Sequence, residues 1–129
     1  MAFYDTCRAI SRPAAIDLSA FQYQFCILDS SGAVESGTTT LTAQGAVTGI
    51  VGEAVTAGVA VPVVVPDGGI AKIKLGATLA AGALIATAAD GRAIAHGATA
   101  GDICWGTLIE GGDADEIVPF QFMLTTQVA

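Results

Sequence analysis

His96 is the only histidine in the chain, so an acid–base pair, a histidine metal cluster or a Ser-His-Asp triad would each rest on this one imidazole. It closes the run Arg92–His96, at what reads as a strand end, where a solvent-edge histidine is the commoner arrangement. Three carboxylates crowd the loop Gly111-Gly112-Asp113-Ala114-Asp115-Glu116 and could collect around Ca²⁺. The helix–loop ligand ladder with its central glycine and terminal glutamate is missing, and a solvated hairpin loop is the expectation. Cys104 stands beside Trp105 and Gly106 with no basic neighbour in sequence to lower its pKa, which points to core packing. Cys7, Cys26 and Cys104 form an odd set without the spacings of zinc or iron–sulfur sites, so free, mostly buried thiols are expected. The glycines build neither a Gly-x-x-x-x-Gly-Lys-Ser/Thr loop nor a strand–Gly-x-Gly-x-x-Gly–helix unit, so nucleotide phosphates have no cradle. The reading is of a chain that is not an enzyme, with no catalytic residues, no metal ligands, no cofactor and no small-molecule substrate.

Composition narrows the partners. A net charge of −7 from twelve acidic and five basic residues leaves no Lys/Arg cluster to displace counterions from a phosphate backbone, so nucleic acid is not expected. Apolar stretches are broken by Gly, Thr, Pro62 and Pro66 before reaching the ~18 residues of a membrane span, and no span is expected. The start Met1-Ala2-Phe3-Tyr4-Asp5 lacks a basic region followed by an apolar run, so no secretory signal is read, and folding in a reducing cytoplasm fits the free thiols. The 129 residues make one domain. Its composition is 53% hydrophobic but only 6% aromatic, which demands a core of small aliphatic side chains. Charged residues are 13%, and none falls between Leu75 and Ala89, a bland surface that points to subunit packing.

The elements that would carry these residues are strands. Residues 1–20 carry mixed charge without a sustained period and read as an extended N-terminal arm, ahead of a single all-β domain over 21–129. With Phe3, Tyr4 and Ile10 as apolar anchors, the arm fits two descriptions, a docking segment or a partly disordered terminus. Phe21–Leu28 alternates strictly, with Phe21, Tyr23, Phe25 and Ile27 on one face, and predicts a half-buried strand ending at the turn Asp29-Ser30-Ser31-Gly32. Ala33–Glu35 and Thr38–Thr42 predict short strands. Val47–Val51 and Val59–Val65 are Val-rich, and Pro62 demotes the latter to an edge or bulged strand because its nitrogen cannot donate. Ile70–Leu75 alternates Ala71, Ile73 and Leu75 against Lys72 and Lys74. Ile103–Ile109 and Ile117–Thr126 close the domain as strands around the acidic loop.

Two heptads, Gly52-Glu53-Ala54-Val55-Thr56-Ala57-Gly58 and Gly76-Ala77-Thr78-Leu79-Ala80-Ala81-Gly82, share the pattern Gly-x-x-aliphatic-x-Ala-Gly. A shorter version, Gly97-Ala98-Thr99-Ala100-Gly101, precedes Asp102. Glycine takes positive φ at little cost, so these are read as turns that launch strands. By that parallel the Ala-rich Leu79–Ala86 is read as a turn followed by strand Ala83–Ala88 rather than as a helix, with Asp90-Gly91 as a two-residue hairpin loop.

The residues Gly69–Ala95, with GIAKIKLG, TLAAG and ATAADGRAIA, together with TAGDICWGTLIE at Thr99–Glu110, resemble the small capsid decoration (cement) proteins of tailed bacteriophages. The likeness covers about Val47–Leu124, and its motifs are structural. It implies an all-β domain of small β-barrel, β-tulip or jelly-roll-like form. It also implies a homotrimer that sits on the outside of the phage head, with the major capsid protein as partner, made in the host cytoplasm and located in the virion. No catalytic residues come with it. Phe3, Tyr4, Arg8 and Arg12 of the arm are the expected capsid contacts, and Val59, Val61, Val63 and Val65 the expected subunit packing. A second reading, a small barrel-type carrier or binding module with a modifiable lysine, would use Lys72 or Lys74, the only lysines, which lie inside an alternating strand rather than at a glycine-bounded tip.

Overall fold

The computed structural model describes residues 7–36, 49–88, 90–97 and 103–126. Ten strands form, with no helix among the described residues: β1 Ala9–Pro13, β2 Phe25–Leu28, β3 Val34–Ser36, β4 Gly49–Val51, β5 Ala60–Val64, β6 Ile70–Lys74, β7 Leu84–Thr87, β8 Ala93–Ala95, β9 Ile103–Leu108 and β10 Ile117–Thr126. They make two five-stranded antiparallel sheets, ordered β1-β5-β4-β2-β3 and β6-β10-β9-β7-β8. The domain is all-β as expected, but its sheets stay open instead of closing into one barrel.

The two sheet orders are the same order, with the second half of the chain repeating the first. Each pairing in the first sheet has its counterpart in the second: Ala9 with Val64 as Ile70 with Gln121, Cys26 with Ser36 as Ile85 with Ala95, Ile50 with Val64 as Thr107 with Gln121. The loops repeat as well. Leu18 N–H donates to Val55 O as Leu79 N–H does to Gly112 O, and Ala14 N–H to Val59 O as Leu75 N–H to Glu116 O. The isolated parallel bridges Ala14–Val34 and Leu75–Ala93 also correspond. This duplication is not the one the heptads suggest. Gly58 and Gly82 do take positive φ, 83° and 85°, and each is followed by a residue whose N–H closes a turn, Val59 to Thr56 O and Ala83 to Ala80 O. Their structural counterparts, however, are Asp115 at φ 71° and Tyr23 at φ 62°, the two non-glycine residues in the left-handed region among the described residues. Both positions are therefore demanded by the fold in each half, and glycine fills only one of each pair.

Tyr23 also corrects the expected strand over Phe21–Leu28. Its left-handed backbone breaks the alternation, Gln24 N–H turns back to Phe21 O, and β2 begins only at Phe25. Phe25 and Cys26 are then both buried, because both faces of the first sheet are covered. Pro62 lies in neither an edge nor a bulged strand: β5 is paired on both sides, by β1 and β4. The ring is tolerated because Pro62 falls opposite Gly52, just past the end of β4 at Val51: Gly52 N–H still donates to Pro62 O at 2.8 Å, while Gly52 O accepts from Gln22 Nε2 at 3.3 Å. Pro119 in β10 repeats the solution just past the end of β9, with Ile109 N–H donating to its carbonyl at 3.0 Å. The hairpin at Asp90-Gly91 forms, but Ala88 N–H closes on Arg92 O, so the loop holds three residues rather than two and Gly91 takes φ 89°. Part of the segment read as an arm is a sheet strand: β1 pairs along β5, and Ala14 and Leu18 behind it are buried. Thr38–Thr42 and the Gly97–Gly101 motif, beyond Gly97 itself, lie outside the described residues.

Each half has its own apolar cluster at equivalent positions. Ala14, Cys26, Val34, Val51, Val61 and Val63 cluster in the first half, and Leu75, Ile85, Ala93, Leu108, Val118 and Phe120 in the second. The second cluster also receives the opposite face of the first sheet, through Phe25, Ile50 and Val64. Phe25 alone meets Trp105, Phe120 and Phe122, with ring centroids 6.3, 6.3 and 5.9 Å away. The halves thus stack head to tail, the back of one sheet resting in the mouth of the next.

Candidate functional site

The residues whose types could do chemistry are dispersed. His96 follows β8 with its main-chain N–H on Leu84 O at 2.9 Å, and its Nε2 is buried without a partner among the described residues. Among the described residues no group of three or more His, Cys, Asp or Glu stands close enough to hold a metal ion. The acidic loop after β9 directs its carboxylates to structural partners. Glu116 Oε1 accepts from Asp113 N–H at 2.9 Å, Thr78 Oγ1 donates to Asp113 at 3.3 Å, and Asp115 accepts from Arg92 at 3.0 Å. Arg92 also holds Asp90 at 2.7 Å, and both carboxylates raise its pKa, Asp90 most. That network ties the β7–β8 hairpin to the loop before β10.

The three cysteines are unbridged. Burial pushes the Cys26 thiol up to about 12, and burial followed by the neighbouring Asp67 carboxylate pushes Cys7 up to about 11, so neither is a thiolate near neutral pH. Cys104 is buried, with Sγ 3.4 Å from Gly106 O. Lys72 and Lys74 lie within edge strand β6, away from any hairpin tip. A half-open cavity of about 500 Å³ sits where the back of the first sheet leaves β6, lined by Cys7, Tyr23, Val64, Ile70 and Pro119 among others. Its lining is mostly apolar, with Tyr23, Lys72 and Glu110 as its polar side chains.

The arrangement that stands out is a surface. On β10, Val118, Phe120 and Phe122 point inward while Ile117 and Met123 are 45% and 42% exposed. Register places Leu84, Thr107, Gln121 and Ile70 in one row across the outer face of the second sheet, and Pro119 beside Lys72 in the next. Leu84, 52% exposed, is the most exposed of the large apolar side chains among the described residues. Such a face on a 129-residue chain marks an interaction site more readily than a catalytic one.

The residues expected to make contacts are placed unevenly. Phe3 and Tyr4 lie outside the described residues. Arg8 is exposed, with its main-chain N–H on Asp67 at 2.9 Å, whereas Arg12 is half-buried and its Nε donates to Gly32 O at 2.8 Å. Val61 and Val63 are fully buried in their own half's core, Val65 is half-buried, and Val59 is 46% exposed. Sequence reasoning missed the outer face of the second sheet. The signal was present in Ile117, Pro119, Gln121 and Met123, which alternate with the buried Val118, Phe120 and Phe122, but nothing local says which face of a strand stays uncovered.

No protein-family model matches this chain, and a search of curated proteins found no match.

Proposed function

We propose that this chain is a structural virion protein, a capsid decoration (cement) protein that assembles as a homotrimer on the outside of a phage head and stabilises joints between major capsid subunits. The observation that carries the proposal is the outer face of the second sheet, where Leu84, Ile117 and Met123 are exposed, in a domain whose described residues bring no three His, Cys, Asp or Glu together. The resemblance of Gly69–Ala95 and Thr99–Glu110 to such proteins gives that face a purpose. A protein of this kind acts by binding energy alone, and many copies on one shell make individually weak contacts sufficient. Of the expected shell contacts that are described, Arg8 and Arg12, Arg8 beside the start of β1 is the exposed one.

Static light scattering of the purified chain, followed by co-sedimentation with phage heads, tests the proposal. A three-chain mass and pelleting with heads are expected. A single-chain mass at micromolar concentration would sink the homotrimer, and a trimer that stays in the supernatant would sink the capsid role.

A further inference from the structure

The duplication supplies a template for assembly. Inside the chain, Phe25, Ile50 and Val64 on the back of the first sheet enter the second half's cluster beside Ala71, Ile73 and Phe122. Register assigns each of these six residues a counterpart in the other half. Phe25, Ile50 and Val64 correspond to Leu84, Thr107 and Gln121, and Ala71, Ile73 and Phe122 correspond to Ile10, Arg12 and Val65. The first set of counterparts lies on the outer face of the second sheet, with Leu84 52% and Ile10 of the second set 41% exposed. Arg12 and Val65 are half-buried. Each half therefore carries the same two surfaces, a back and a mouth; one back and one mouth are used within the chain, and among the described residues the other pair is left open.

We infer that Leu84, Thr107 and Gln121 of one copy dock against Ile10, Arg12 and Val65 of the next, repeating between chains the contact that Phe25, Ile50 and Val64 make within one. The occupant of the outer face is a second copy of this chain, and the contact is head to tail, so each copy offers one back and receives one. Three copies then close a ring of six similar units, alternating in-chain and between-chain joints. The between-chain joint is the weaker, since Leu84, Thr107 and Gln121 replace Phe25, Ile50 and Val64 and bring less apolar area. The inference rests on the homotrimer reading and adds which surfaces meet and in what sense.

A mixing experiment separates head-to-tail from face-to-face pairing. Leu84→Asp removes the back and Ile10→Asp the mouth; both side chains are exposed, so each variant should keep the wild-type far-UV spectrum and still unfold cooperatively, at a midpoint lowered only by the lost assembly. Each alone should fall from a three-chain to a one-chain mass in light scattering. Mixed in equal amounts, they should form a two-chain species that grows no further, because one intact back meets one intact mouth. If either substitution disturbs folding, Thr107→Arg and Val65→Asp repeat the test. A wild-type trimer that survives Leu84→Asp, or two one-chain variants that stay apart on mixing, would overturn this interface while leaving the homotrimer standing. A one-chain wild type would remove both.

Discussion

Gly82 and Gly91 have nearly the same backbone, φ 85° and 89°, but different surroundings, and replacing each by alanine separates conformational strain from packing. At Gly82 an added Cβ meets nothing within 4 Å. The cost is then the left-handed backbone alone, about 1–2 kcal/mol, offset by about 0.4–1 kcal/mol from the stiffer unfolded chain. Gly82→Ala should therefore destabilise by about 1 kcal/mol. At Gly91 the Cβ would overlap the main chain of Phe25, whose N–H donates to Gly91 O at 2.7 Å. Relief requires the hairpin tip to back away, stretching that bond and the one from Gln24 Nε2 to Asp90 O at 2.6 Å. Each is worth about 1 kcal/mol, and Gln24 is buried, so an unpaired amide adds to the loss. Gly91→Ala should destabilise by about 3–4 kcal/mol, a large share of the roughly 5–15 kcal/mol of a typical domain. Urea unfolding followed through buried Trp105 gives both values from midpoint shifts at constant slope. If the two substitutions cost the same within about 0.5 kcal/mol, the tip of the second half does not latch the first, and the reasoning fails.

Phe25→Ala should cost about 3–5 kcal/mol because it leaves a void among three rings, whereas its counterpart Leu84→Ala should leave monomer stability within about 0.5 kcal/mol; equal losses in urea would contradict the assignment of back and mouth. Asp115→Gly relieves a left-handed non-glycine residue and gives up only an exposed ion pair to Arg92, so thermal unfolding should show a gain of up to about 1 kcal/mol. Hydrogen bonds from Arg8 N–H, then Gly69 N–H, then the Cys7 thiol hold the Asp67 carboxyl below its ordinary 3.8. Since the folded value is the lower one, its stabilisation is complete above the unfolded value and is lost as pH falls through the folded one. Asp67→Asn should accordingly be less stable than wild type at pH 7 in urea and converge with it in strong acid; a difference that persists unchanged at low pH would show that the charge plays no part.

Much of the local structure was legible because it rests on local chemistry. Alternation in Ile70–Leu75 marks β6, Asp90-Gly91 marks a reversal, and Gly58 and Gly82 mark the two turns that the heptads predict, since a positive φ selects for glycine wherever it can. Where another residue bears the same φ the signal vanishes. Tyr23 made Phe21–Leu28 read as one strand, and Pro62 misled because the consequence of its missing N–H depends on where the neighbouring strand ends.

By itself the sequence determined an all-β chain of short strands and glycine turns, acidic overall, with no assembled chemistry in its spacing. Only the tertiary structure decided that the chain is built twice. Equivalent core positions hold Cys26 and Ile85, Val63 and Phe120, Ala14 and Leu75, because burial asks for apolar volume and tolerates any side chains that fill it together, so the duplication leaves no repeat to read. The fate of each face was likewise a tertiary decision. Phe25 is buried and Leu84 exposed at the same place in the two halves, because a second mouth lies behind one sheet of this chain and, among the described residues, none lies behind the other.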